Sequence, residues 1–424
     1  MSVVDLSYRN SREARSIGLD AVRAIAAILV VYLHACIPYL VQGMPGIVWP
    51  ATDSPSRICN ALFWAIEVFV MPLFLVISGY YAHRALVASD HKSFLKSRAN
   101  RLLRPLVFGM LVVLPMDLYI WLIGLVAEGL IPASKLRSLK LPAPYNQIWG
   151  FSHLWFLHYV FSYAAILAGL NLLVRNRVPM RWRPTLRRLS AVAVAVVGIL
   201  TLIAVPKVVF GFQHAFLPVF SKWLYSGTFF AGGVAFAVFD PKFRTLNRLA
   251  VRNLAIGTIA TIAAVLLACW TLWVESSEKN NANINLLISL TLAATTVLAA
   301  WGITMGVIGF ANRSREWLWQ RERTCLAIQY LSNASFWIYL VHHPIVGLVQ
   351  IDLKWLAPLM LPLTKSVIAA SVATGLGLIS YEWMVRTTGF GRLIGLTGQS
   401  KSIEKTRTAG DEFKKQKNAI RIAA

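Results

Sequence analysis

"RAIAAILVVYLH", Arg23 to His34, decides how this chain is read. Ten apolar residues, a single tyrosine among them, lie between an arginine and a histidine. On an α-helix the eleven steps from Arg23 to His34 turn roughly 1100°, about 20° past three full turns, so both side chains lie on one face. At 1.5 Å per residue they are roughly 16 Å apart along the axis. Asp20 falls close to the same stripe. A greasy helix that carries ionisable groups at both ends of one face is a membrane segment with something to hold.

Composition extends that reading outward. The 424 residues are 57% hydrophobic and 14% charged, with mean hydropathy +0.59. Apolar runs of about 20 residues recur, the length that crosses a ~30 Å hydrocarbon core. The alternating short segments of a membrane barrel do not occur. The pattern predicts an all-α, polytopic transmembrane bundle of about ten spans, at 18–40, 58–82, 105–127, 152–174, 189–206, 218–239, 253–273, 285–310, 329–350 and 364–385. Around this domain, residues 18–390, lie a basic tail at 1–17 and a polar, basic tail at 391–424 whose composition predicts disorder. The first span follows Arg9, Arg12 and Arg15 but is too long, and has no small-residue cleavage site, to be a signal peptide.

The net charge of +24 invites a nucleic-acid partner, but its distribution argues for the bilayer instead. On this topology the two tails and every second loop hold 33 of the 42 lysines and arginines. That bias is the positive-inside pattern; it predicts cytoplasmic termini and contact with anionic lipid. No Cys/His spacing predicts a metal, and no glycine-rich loop predicts a nucleotide cofactor. Of four cysteines, Cys36 and Cys59 both fall near the outer face, within range of a disulfide or of simple packing.

Ionisable residues inside spans are costly, so each is a candidate for function. Depth counted along the topology puts His34, Glu67, His153 with Trp155, and the pair His342–His343 in the outer half of the membrane. At the inner surface Arg101 and Arg104 share a face at i, i+3, with Arg23 nearby, a set able to grip phosphate through planar forks. In "MPLFLVISGYYAHR" the Ser78–Gly79 pair admits a close helix or ligand, and Tyr80 and Tyr81 sit where belt aromatics do.

In this order, "RAIAAILVVYLH", "FLVISGYY", "RLLRP", "HLWFL" and "SFWIYLVHHP" resemble the membrane acyltransferase-3 family. The likeness runs from about residue 17 to 390, and "SHLWFL" with "NASFWIYLVHHP" favours its glucan-biosynthesis branch, which attaches succinyl groups to osmoregulated periplasmic glucans. The resemblance implies a bacterial inner-membrane enzyme that carries an acyl group from cytoplasmic acyl-CoA to an extracytoplasmic carbohydrate hydroxyl. The family's Arg-x10-His motif falls on Arg23 and His34, and its Arg-x-x-Arg motif on Arg101 and Arg104. It makes His34 catalytic and the arginines part of the acyl-donor site; Ser78 and Tyr80 are placed on the donor side, and His153, Trp155, His342 and His343 on the acceptor side, by position alone. Glu67 matches no motif of the family, and from depth alone it is expected to orient and stabilise the catalytic imidazole. The donor, succinyl-CoA or acetyl-CoA, is a substrate; no bound cofactor and no metal is expected. Some members of the family carry a soluble esterase-like domain at the C-terminus; this sequence shows none, so direct transfer by the membrane unit is expected. Arg57, Lys207 and Lys222 are the cations available to read a succinyl carboxylate. Two alternatives remain open: O-acetylation of lipopolysaccharide or exopolysaccharide, and transport of a small anion. The split between an outer histidine group and an inner arginine group, without the internal repeat common in transporters, suits a two-substrate transferase.

Overall fold

The computed structural model describes residues 16–137, 141, 145, 150–174, 183–212, 215–275 and 282–396. The tails proposed at 1–17 and 391–424 lie almost wholly outside these residues, as does the first half of the charged run 175–188. The regular structure of the described residues is all helical, without a strand. Ten principal helices follow in order: α1 Ile17–Cys36, α2 Arg57–Val87, α3 His91–Ala127, α4 Trp155–Val174, α5 Arg183–Ala204, α6 Phe220–Phe239, α7 Arg244–Glu275, α8 Ala282–Arg313, α9 Glu322–Leu356 and α10 Pro362–Arg386. Among the described residues, eight are long and apolar enough to cross a membrane; α5, whose apolar part is Arg188–Ala204, and α6 fall short of that standard. The expected polytopic helical bundle is therefore present.

Local chemistry sets where helices begin. The Ser16 hydroxyl accepts from the Leu19 amide at the start of α1, Ser56 does the same for Cys59 in α2, and Asp90 for Ser93 in α3. Several helices start well before their apolar runs. The polar first turns of α3, α7 and α9 carry Lys92, Arg244 and Arg323, and a hydropathy window does not count such turns.

The central element is α1, which packs against α2, α8, α9 and α10. Its inward face is built of small and branched residues (Val22, Ala26, Ala27, Val30, Val31), while Ile25 and Ile28 are exposed on the opposite side. The tightest crossing is between α2 and α6. A Cβ at Gly79 would lie 2.1 Å from the Phe230 carbonyl oxygen, and one at Gly233 2.0 Å from that of Val76. Gly79 is thus a helix-packing position, and it leaves Tyr80 buried rather than in an aromatic belt, with its hydroxyl donating to the Pro241 carbonyl at 2.7 Å.

Two irregularities position the interior. Pro105 interrupts α3 and is followed by a π-helical turn, Gly109–Val113, which rotates the rest of the helix. The segment between α1 and α2 runs back over the bundle as a strap. Gly124 of α3 approaches it so closely that a Cβ would lie 2.1 Å from the Pro50 carbonyl oxygen. The strap is tied down by an ion pair from Lys365 to Asp53 at 2.7 Å and by Trp49, whose indole donates to Gln350 at 2.8 Å. Gln350 in turn donates to the His34 and Ala35 carbonyls. Although Asp53 is partly desolvated, the Lys365 ammonium and Ser54 hold its carboxyl below the ordinary carboxylate range. Cys36 and Cys59 are buried free thiols.

Candidate active site

Four imidazoles from three parts of the chain meet inside the bundle. The His34 ring centroid lies 5.1 Å from that of His342 and 4.9 Å from that of His343, and His153 stacks on His343 at 4.7 Å. Trp49 and Trp121 close over His343 at 5.0 and 5.8 Å. His34, His153, Trp155, His343 and Glu67, all expected from depth, line one cavity of about 60 Å³. His342 stands behind it, fully buried.

Three of the rings are anchored on backbone carbonyls. His34 Nδ1 donates to Val30 at 2.8 Å, His342 Nδ1 to Tyr339 at 2.7 Å, and His153 Nε2 to Leu340 at 3.1 Å. A carbonyl only accepts, so the contacting nitrogen carries the proton and the other nitrogen of the neutral ring holds a lone pair. The Leu340 carbonyl is available for a reason written in the sequence. Its helical partner would be the amide of residue 344, which is proline and has none. "LVHHP" therefore presents two histidines and also vacates the acceptor that holds a third.

The fourth ring has a different partner. His343 Nδ1 lies 2.7 Å from Asp117 Oδ1, both side chains being almost wholly buried. The Ser152 hydroxyl approaches the other carboxylate oxygen at 3.5 Å. Ser152 makes that contact from a left-handed backbone, φ 47°, a conformation that costs a non-glycine residue about 1 kcal/mol or more. Asp117 was not singled out from the sequence. It sits in "LVVLPMDLYIWL" inside a span, so the cost of burying a carboxylate was the signal that marked it.

Glu67 shares the cavity, yet α2 sets it toward α6, where its electrostatic neighbours are Lys222 and Tyr225 rather than a histidine. Lys222 places its ammonium 4.0 Å from the Trp155 ring centre and 5.2 Å from that of Phe212. Of the three cations considered for an acyl carboxylate, Lys222 lines this cavity, whereas Arg57 and Lys207 are exposed elsewhere.

At the other end of α1, Arg23 is 3.6 Å from Asp20, which also accepts from Ser332. The Arg23 charge reaches both Arg101 and Tyr81, so the inner ends of α1, α2 and α3 do converge. Arg98, not anticipated, donates to the Tyr81 carbonyl at 3.0 Å. Arg101 lines a surface cavity of about 470 Å³ with Lys96, Asn100 and Arg392; Arg104 is exposed and lies outside it. Tyr80 receives a hydrogen bond from Arg84, and Ser78 is half-buried beside Gly79.

The donor atoms of Asp117, His153 and His343 lie within 4.8 Å of one another, a grouping seen at metal centres. Here the two imidazole planes are within 13° of parallel, and ring lone pairs lie in the ring plane, so they do not converge on one point. Within the group His343 is hydrogen-bonded to Asp117, and His153 is held by stacking on His343 and by the Leu340 carbonyl.

The fold and site are those of a polytopic membrane protein with buried imidazoles near one end of α1 and arginines near the other. The chain belongs to the family described as the acyltransferase domain, whose model matches residues 16–382. It is similar to the glucans biosynthesis protein C of Escherichia coli, 24% identical over 346 residues that make up 77% of this chain and 81% of that protein. The protein of the same name from Salmonella paratyphi A is 25% identical over 343 residues, again 77% of this chain and 81% of the relative. The chain is thus a polytopic membrane acyltransferase.

Proposed function

We propose that this enzyme moves an acyl group, succinyl in preference to acetyl, from acyl-CoA at the cytoplasmic face to hydroxyls of a periplasmic glucan in the bacterial inner membrane. His34 is the general base. The observation that carries this reading is the anchoring of His34 Nδ1 on Val30, which leaves Nε2 as the lone pair of a cavity-lining ring. A neutral imidazole suits a sugar hydroxyl, which is too weak a nucleophile unaided.

In the step proposed, the hydroxyl oxygen bonds to the thioester carbonyl carbon while its proton passes to His34 Nε2. The carbon–sulfur bond then breaks and the thiolate takes that proton, leaving ester, free CoA and a neutral ring. The donor's phosphates sit by Arg23, Arg101 and Arg104 near Ser78 and Tyr80, and its acyl arm runs between helices toward His34. The acceptor is received in the cavity by His153 and Trp155, with His342 packed behind them. Lys222, with Glu67 beside it, supports the succinyl preference, because a cation in an apolar, aromatic-walled cavity favours an acyl chain that ends in a carboxylate. The acceptor class is taken from the name of the relatives. The test follows label from succinyl-CoA into periplasmic glucan. Correctly inserted His34→Ala protein is expected to transfer none, and undiminished transfer would falsify the assignment.

A further inference from the structure

The mechanism leaves one buried charge without a task. Asp117 is 1% exposed, and the described groups that touch it are the neutral His343 ring and the Ser152 hydroxyl. Such a carboxylate is expensive unless a cation answers it. Among the described side chains near it, none is a lysine or arginine in an ion pair with it. The groups facing the histidine cluster are His34 from α1, Glu67 from α2, Asp117 from α3, His153 ahead of α4, Lys222 from α6, and Tyr339, His342 and His343 from α9. The Asp117 charge reaches His34, with the His343 ring edge-on to His34 and bonded to Asp117.

We infer that Asp117 is the counter-ion for the proton that the histidine cluster takes from the acceptor, with His343 as the ring that holds it in place. Both are positioning residues; neither touches the reacting atoms. Before reaction the Asp117 carboxyl stands among uncharged rings, apart from the Glu67–Lys222 pair elsewhere in the cavity. When His34 accepts the hydroxyl proton it becomes an imidazolium, and the fixed carboxylate gains a partner only in that state. An interaction stronger in the transition state than in the ground state accelerates the chemical step, and a carboxylate already locked by His343 and Ser152 needs no reorganisation to supply it. Glu67 does not serve this purpose, because α2 sets it toward α6 and away from the histidines.

This inference rests on the acyl-transfer reading, and the experiment separates the two. Wild-type, Asp117→Asn, Asp117→Glu and His343→Gln proteins are purified in lipid nanodiscs, and CoA release is followed from pH 5 to 9 with saturating donor and acceptor. Removing a unit charge one ring away, at an effective dielectric near 20, is expected to lower kcat roughly 10- to 100-fold in Asp117→Asn with KM for both substrates held. The acid limb of the pH–rate profile moves down by about one to two pH units, because a base without its counter-ion releases its proton more readily. Asp117→Glu keeps the limb in place. His343→Gln, which can still hydrogen-bond the carboxylate, keeps the limb in place, whatever it does to KM for the acceptor. An unmoved limb in Asp117→Asn would show the residue to be structural and overturn the inference, as would a limb that moves in Asp117→Glu. If the asparagine variant does not reach the membrane, Asp117→Ser serves the same comparison. A wild-type protein that releases no CoA with any donor refutes the acyl-transfer reading instead.

Discussion

Replacing Pro344 by alanine is the sharpest test of how the sequence builds the histidine cluster. Alanine brings back an amide, and the nearest acceptor is the Leu340 carbonyl one turn earlier, now occupied by His153 Nε2. Two terms then oppose each other. The helix gains a backbone hydrogen bond worth about 1 kcal/mol net. His153 is 4% exposed, and its stranded N–H costs about 1–3 kcal/mol if no other acceptor is found. The fold therefore loses at most about 2 kcal/mol. The cost falls on the geometry: the His153 ring, now stacked 4.7 Å from His343, is freed to rotate. Turnover is expected to fall about tenfold or more while the melting temperature stays within several degrees. In a double-mutant cycle with His153→Ala the effects on turnover should be strongly non-additive, since the alanine at 344 has nothing left to displace. Additive losses, or full activity in Pro344→Ala, would refute the link between this proline and the ring.

Lys222→Met should lower kcat/KM for succinyl-CoA by roughly 10- to 100-fold, the worth of one charge-assisted contact, and leave acetyl-CoA unaffected; paired assays of CoA release check the ratio. Gly233→Leu forces α2 and α6 apart, since even a Cβ would lie 2.0 Å from the Val76 carbonyl oxygen; a loss of about 3 kcal/mol or more should appear as early thermal aggregation in detergent. The Asp53–Lys365 tie is stabilising at and above the unfolded carboxyl value near 4 and is lost as pH falls through the lower folded value, so protease nicking of residues 40–56 should rise only below about pH 4. Asp53→Asn, which strands the Lys365 ammonium, should make nicking rapid at neutral pH.

Much of the bundle was legible because hydrocarbon thickness fixes helix length, and hydropathy reports that length directly. It did not show where α3, α7 and α9 begin, since their first turns are polar and lie beyond the apolar run. Depth counted along the topology put His34, His153, His342 and His343 in one layer, and the structure brings all four into contact. Two things were missed for definite reasons. A single carboxylate, Asp117, hardly alters the hydropathy of its span, and the π-helical turn upstream resets the face it presents. Glu67 was matched by depth to a histidine, but depth does not give the direction around a helix axis, and α2 turns it toward Lys222. The Arg23 to His34 spacing, in contrast, needs no partner helix to be read, since both residues lie on α1.

The strap between α1 and α2 adds a consequence for timing. Its indole lies over the imidazole of His343, and its two tethers, Trp49 to Gln350 and Asp53 to Lys365, are only four residues apart. Fasteners that close together do not let go independently, because while one holds, the other is kept within a short reach of its partner and re-forms at once. The strap therefore behaves as a hatch with one shut state and one open state, and a half-open site is scarcely populated. Access to His343 from that side opens with the whole stretch from Trp49 to Asp53, and not by halves.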